Sequence, residues 1–299
     1  MSPRSNDSLV HAILDTLAYA DLFDYAMTPE EIHRYLIEHV ATIHEVTLAL
    51  DDCTGLDGRA VRTGGFLTLR RREHLAALRH ARSKHAARLW RKAHRYAWIL
   101  AHLPFVRMIA VSGALAANNP GERDDDIDLF IITAPGRLWT ARGLIIAVVR
   151  IARAIGNELC PNYLVSEDAL RSNEQNLYTA HEIVHLVPLY GMALYRHYMR
   201  VNDWYGKFLP NAQPVQSSTV ELNRFGQFFK HLAERILSTY LGTRLEQWEQ
   251  TRKIAKFRAQ VSTATNATHF TAECCKGHFQ DHGRRVLAEF ERRPERWQV

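Results

Sequence analysis

Two aspartates, Asp126 and Asp128, stand two residues apart in a stretch whose other members, Ile127 and Leu129 to Ile132, are apolar. Side chains at i and i+2 of a strand leave the same face, so the two carboxylates are placed to share a divalent cation. Without a cation, carboxylates in such a strand would be costly, because a desolvated charge needs a partner. Upstream, Ser112-Gly113-Ala114 follows the apolar run Phe105 to Val111 and opens a short helical stretch. A glycine where a strand meets a helix bares backbone N–H groups to which phosphate oxygens can come close. Arg123, just ahead of the aspartates, and Lys276, near the C-terminus, are candidate phosphate contacts by their charge. The implied chemistry is that of a metal held beside a polyphosphate.

Eleven residues separate Ala114 from the Asp126-Ile127-Asp128-Leu129 quartet. At this spacing the chain resembles the DNA polymerase beta nucleotidyltransferase superfamily. Its signature is Gly followed by Gly or Ser, a gap of similar length, then Asp, an apolar residue, Asp or Glu, and an apolar residue. The segments AYADLFDYAMTPEEIHRYL, LCPNYLVS, NLYTAHEIVHLVPLYG and CKGHF are similar to bacterial nucleotidyltransferase-domain proteins. The resemblance implies a small mixed-sheet palm in which Asp126 and Asp128 hold two Mg²⁺ ions. It also implies a nucleoside triphosphate, ATP foremost, near Ser112, Gly113, Ala114, Arg123 and Lys276. A nucleoside monophosphate would pass to an acceptor with release of pyrophosphate. The acceptor stays open among a hydroxylated small molecule, a protein side chain and an RNA end.

Two departures from the family pattern matter. Ala114 stands where the superfamily often has Ser, and Ser112 is the neighbouring hydroxyl. The third carboxylate, often carried on the next strand to activate the nucleophile, is replaced by Asn162, which cannot act as a base. Glu158 and Glu167, on either side of that strand, are the candidate catalytic substitutes. Both departures support an alternative, a catalytically degenerate nucleotide- or nucleic-acid-binding regulator.

The elements that must position these residues follow from periodicity. Helical spacing runs over residues 8–23, a capping box at Thr28-Pro29-Glu30-Glu31 starts a second helix, and 42–50 reads as a third. Segments 59–62 and 66–69 flank Thr63-Gly64-Gly65 as a hairpin, which completes the order of a winged helix. The segment 42–50 carries no Lys or Arg, so groove reading is not expected of it. A long helix over 72–103 ends at Pro104. Between Arg70 and Arg95 it holds ten Lys or Arg against Glu73 alone, a charge pattern that suggests nucleic acid as a partner. A strand at 105–111, the aspartate strand, a helix at 137–154 and a strand at 160–166 give a βαβαβ alternation. Helices are expected at 176–185, 189–199, 221–250 and 282–292, with a loop at 211–218. The expected class is α+β or α/β, organised as a winged-helix-like unit (1–71), a basic connecting helix (72–103), a palm (104–170) and a helical C-terminal domain (171–299).

Bulk properties narrow the setting. Hydrophobic residues make up 46% of the chain and the net charge is +6. No apolar run approaches the roughly 18 residues of a membrane span, and no signal peptide is visible, so a cytoplasmic protein without membrane contact is expected. The four cysteines, Cys53, Cys160, Cys274 and Cys275, read as free thiols. His269, Cys274, Cys275, His278 and His282 crowd together but lack the first Cys pair of a zinc site. His278 and His282, at i and i+4, could instead line a nucleotide cleft with Lys276.

Overall fold

The computed structural model describes residues 3–51, 56, 58–121, 126–260, 269–277 and 282–293. The chain opens with three helices, α1 (Pro3–Asp21), α2 (Pro29–Arg34) and α3 (Ile43–Asp51), and a hairpin of β1 (Ala60–Thr63) and β2 (Phe66–Leu69). The capping box forms as expected. Thr28 Oγ1 accepts from Glu31 N at 3.2 Å, and the Glu31 carboxylate accepts from Thr28 N at 2.9 Å, satisfying two donors that the helix itself cannot. Ile13, Leu17, Ile32, Leu36, Val46 and Leu67 form the core of this region.

Helix α4 (His74–Ala101) carries the basic run. Three of its cations are used inside the protein: Arg72 pairs with Asp21 at 2.6 Å, Arg79 with Glu31 at 2.6 Å, and Arg82 donates to Asn119 at 2.7 Å. Lys84, Arg88, Arg91 and Arg95 remain exposed along one face of the helix.

The second half of the fold is built on one sheet. Its elements are β3 (Val106–Val111), α5 (Gly113–Ala116), β4 (Ile127–Thr133), α6 (Leu138–Ala154), β5 (Leu159–Ser166), α7 (Leu177–Val184), β6 (Val187–Tyr190) and α8 (Met192–Val201). A 3₁₀ turn at Asp203–Lys207 precedes α9 (Arg224–Leu237), α10 (Tyr240–Gln260), β7 (His269–Phe270), β8 (Cys274–Lys276) and α11 (His282–Arg292). The strand order is β6-β3-β4-β5-β8-β7. Only β4 and β5 are parallel neighbours, with α6 as their crossover. The protein is therefore mixed α+β, and the expected βαβαβ order is present as β3-α5-β4-α6-β5, though not as two parallel crossovers. β3 and β4 run antiparallel, and α5, a single turn, is too short to serve as a crossover helix.

Residues 171–299, expected to be helical, also supply β6, β8 and β7 to this sheet. β6 lies where the sequence suggested the start of a helix at residue 189, and its Pro188 is tolerated because β6 is an edge strand. The single helix expected over 221–250 is two helices, α9 and α10, interrupted at Ser238-Thr239.

Strand alternation divides the core in two. Ile109, Val111, Leu129 and Ile131 face α4 and α6. Met108, Ala110, Phe130 and Ile132 face α7 and α8, together with Ile183, Val184, Tyr195 and Tyr198. Asp128 shares the parity of Phe130, so its carboxylate leaves the sheet on the α7 side.

Helix α9 holds the entry to β3 in place. Phe105 adopts φ +68°, a left-handed conformation that side chains disfavour, and its N–H is held by Glu234 at 2.8 Å. Beside it, buried Lys230 donates to the carbonyls of Ala101 at 2.8 Å and Val106 at 2.6 Å. Burial, and then the charge of Arg107, lower the Lys230 pKa to about 8 from 10.5. Below pH 8 the amine is charged in both the folded and the unfolded chain. Between 8 and 10.5 the folded chain has released a proton that the unfolded chain still holds, so stability rises with pH across that window. In denaturant melts the stability of the wild type relative to Lys230→Met should rise by about 2 kcal/mol between pH 8 and pH 10. The subtraction removes the opposing titration of the Cys160 and Cys274 thiols, whose pKa burial raises.

Candidate active site

The turn from β3 into α5 is shaped around Asp128. Gly113 has φ +64°, and a Cβ placed there would stand 2.5 Å from Asp128 Oδ2. Only glycine combines that backbone conformation with so close an approach. The preceding residue, Ser112, donates its N–H to the Asp128 carbonyl at 3.0 Å, tying the turn to the strand that bears the carboxylates. Its hydroxyl is buried and has no hydrogen-bond partner among the described residues.

Asp126, Asp128 and Cys160 place one ligand atom each within 4.8 Å of one another. Cys160 joins the aspartates because β5 runs parallel to β4 with Cys160 opposite Asp128. Burial, and then the charges of Asp128 and Asp126, push its thiol up to about 12. Carboxylate oxygens are the ligand type of hard divalent cations, whereas a thiol sulfur suits softer metals.

The site opens into a cavity of about 430 Å³ between the sheet end, α1 and α7. Gly113, Ala114, Asp128 and Asn162 line one part of it, and Tyr19, Phe23, Tyr35, Tyr178 and His282 line another. A smaller cavity of about 50 Å³ adjoins, bordered by Ser112 and Lys276 and sharing Asn162, Tyr178 and Glu182 with the larger one. The volume of the larger falls in the range typical of small-molecule sites, and its mixture of aromatic walls with a few polar groups is also typical.

Glu182 is the acid that sequence reasoning missed. It lies on α7, on the wall that the two cavities share. Among the described residues it makes no hydrogen bond or ion pair. Burial raises its pKa, and the charge of Lys276, itself paired with Glu174 at 3.2 Å, pulls the other way. Tyr178 stands in the field of both Glu182 and Asp128, which add to burial in raising its own pKa. Next to Glu182, His181 is buried and stacked on Tyr19 with ring centroids 4.1 Å apart, and both of its ring nitrogens lack partners among the described residues. Burial holds its pKa well below 6.5, so it faces the cavity as a neutral imidazole with one donor and one acceptor unmatched. The sequence signal was an acid inside LYTAHEIV, a segment with the apolar character of a core helix.

The other expected site residues disperse. Glu158 sits at the same end of the sheet as the aspartates but pairs with Arg153 at 3.0 Å on the exposed side. Glu167 follows Ser166, which pairs with Thr133. It is thus six residues along the strand from the level of Asp128, about 20 Å away, and is corrected as a candidate base. Lys276 reaches the small cavity, and its ammonium lies 5.9 Å from the Tyr163 ring centroid. Arg123, Cys53 and His278 lie outside the described residues. Cys274 and Cys275 lie on β8, and among the described residues neither joins a metal-ligating group. His282 does line the larger cavity. No helix among the described residues is long and apolar enough to cross a membrane. Comparison of the chain with protein-family models, with curated proteins and with solved structures finds no match.

Proposed function

We propose that the protein is a Mg²⁺-dependent nucleotidyltransferase whose palm is the β3-α5-β4-α6-β5 segment and whose acceptor is a small molecule. The observation that carries the reading is the fit of the Gly113 turn around the Asp128 carboxylate, beside Asp126 and at the mouth of the larger cavity. The residues suit the metal by their chemistry: two carboxylates are the ligand type of a hard cation, and the Ser112 hydroxyl, without a partner among the described residues, and the bare Gly113 backbone suit phosphate oxygens. When bound, Mg²⁺ neutralises charge on the triphosphate.

In the reaction, an acceptor hydroxyl oxygen attacks the α-phosphorus, a new P–O bond forms, and the bond to the β-phosphate oxygen breaks to release pyrophosphate. Glu182 takes the hydroxyl proton, the role that Asn162 cannot fill, and burial suits it by making the carboxylate more basic. His181 and the surrounding tyrosines orient the acceptor. The size of the cavity favours a small molecule over an RNA end or a protein surface.

The test is incubation with Mg²⁺ and each α-labelled nucleoside triphosphate. Metal-dependent binding is expected in the wild type and its loss in both Asp126→Ala and Asp128→Ala. Equal binding in all three proteins overturns the palm assignment. The exposed stripe Lys84, Arg88, Arg91 and Arg95 favours a second reading, a nucleic-acid-binding regulator with an N-terminal winged helix. Nucleotide binding without pyrophosphate release, together with salt-sensitive affinity for RNA or DNA, would favour it.

A further inference from the structure

Helices α9 and α10 are turned inside out. The inward positions of α9 are Gly226, Lys230 and Glu234, spaced four apart along one face. On α10, Glu246 and Glu249 point inward. Every acid of the two helices is thereby engaged. Glu234 pairs with Arg107 at 2.6 Å, Glu249 takes Arg252, and Glu246 accepts from the N–H groups of Trp139 at 2.8 Å and Thr140 at 2.7 Å, capping α6.

The outward face is apolar. On α9 it consists of Phe225, Phe228, Phe229, Leu232 and Ile236, at i, i+3, i+4, i+7 and i+11, the stripe that an amphipathic helix ordinarily buries. On α10, Leu241, Leu245 and Trp248 are likewise exposed. Phe225 is 76% exposed, Leu241 77% and Trp248 59%. The patch amounts to roughly 1,000 Å², taking about 200 Å² for a fully exposed large side chain. That exceeds the roughly 300–600 Å² of the largest patch on a typical monomer. It matches the roughly 800 Å² that each partner contributes to a standard protein interface.

We propose that this face is where a second copy of the chain docks, α9 and α10 of one protomer packing across a two-fold axis on α9 and α10 of the other. An apolar stripe running the length of a helix is self-complementary across such an axis, its ridges filling the grooves of the copy. The composition is that of an interface centre: aromatics and arginines, with the acids withdrawn. The exposed arginines on these helices do not forbid the pairing, because guanidinium groups stack on aromatic rings. Arg252 already lies 4.8 Å from the Trp248 ring centroid and Arg244 5.9 Å from that of Tyr240.

Sedimentation equilibrium on the full chain tests this. The wild type is expected at twice the 34.4 kDa chain mass. Phe228→Glu and Leu241→Glu, at solvent-facing positions that leave the circular dichroism spectrum unchanged, are each expected to weaken the dimer about thirtyfold or more. Val40→Glu, at a side chain 77% exposed and outside the patch, should leave it intact. A monomeric wild type, or a dimer indifferent to both substitutions, overturns the proposal. So does a monomer that floats with anionic lipid vesicles, which would assign the face to a lipid surface instead.

Discussion

Glu182→Gln is expected to bind nucleotide and Mg²⁺ like the wild type and to transfer it roughly 10²–10⁴ times more slowly, the usual contribution of a positioned general base. The separation of the two effects is what identifies the role. Glu182 lines the same cavity as Asp128 but comes from α7, not from the strands that carry the aspartates. The amide keeps the size of the side chain and one acceptor oxygen, and removes only the ability to take a proton. The pH profile gives a second readout. A base must be deprotonated, so the wild-type rate should climb with pH through the Glu182 pKa, which burial places above the usual 4.5, and the variant should lack that limb. Single-turnover measurements with labelled nucleotide would show both. A variant that loses binding along with turnover would instead make Glu182 a ligand contact.

Gly113→Ala should abolish metal-dependent nucleotide binding while leaving a folded protein. The added methyl group would stand 2.5 Å from Asp128 Oδ2, well inside contact distance, so the carboxylate or the turn must move. The left-handed backbone adds about 1–2 kcal/mol for any residue with a Cβ. Gly136 separates these two costs. It has φ +62° with nothing within 4 Å of a Cβ, so Gly136→Ala should lose similar stability, read in thermal melts, and retain nucleotide binding. Retained binding in Gly113→Ala would mean that the close approach to Asp128 is unnecessary.

Much of the N-terminal half was legible because its signals are local. The capping box at Thr28, the glycine pair of the hairpin and the unbroken run from His74 to Ala101 each act within a few residues. The Gly113 turn and the Asp126/Asp128 strand were legible for the same reason. β6 and β8 were not. Val187–Tyr190 and Cys274–Lys276 are short, and strand pairing with distant partners, not local propensity, makes them strands. The division of the 221–250 helix was also hidden, since neither Ser238 nor Thr239 is a strong breaker. Glu182, the proposed base, was obscured for a different reason. The superfamily pattern directs attention to β5, where Asn162, Glu158 and Glu167 lie, whereas Glu182 meets the site only when α7 folds back over the sheet. Helical periodicity marked α7 as a core helix but could not say that its one acid faces a cavity.

The sheet order bears on how the protein is made. β5 pairs on one side with β4 and on the other with β8, where Tyr163 meets Lys276; β3 likewise waits for β6, where Ala110 meets Pro188. A nascent chain that has just completed β5 therefore still carries two open strand edges, each a row of unpaired N–H and C=O groups. The edge of β5 is covered only after more than a hundred further residues have emerged, and such sequence-distant closure is slow. The strands that bear the aspartates thus depend on β8, far along the chain, and synthesis that stops short of β8 leaves them in a sheet with an open edge.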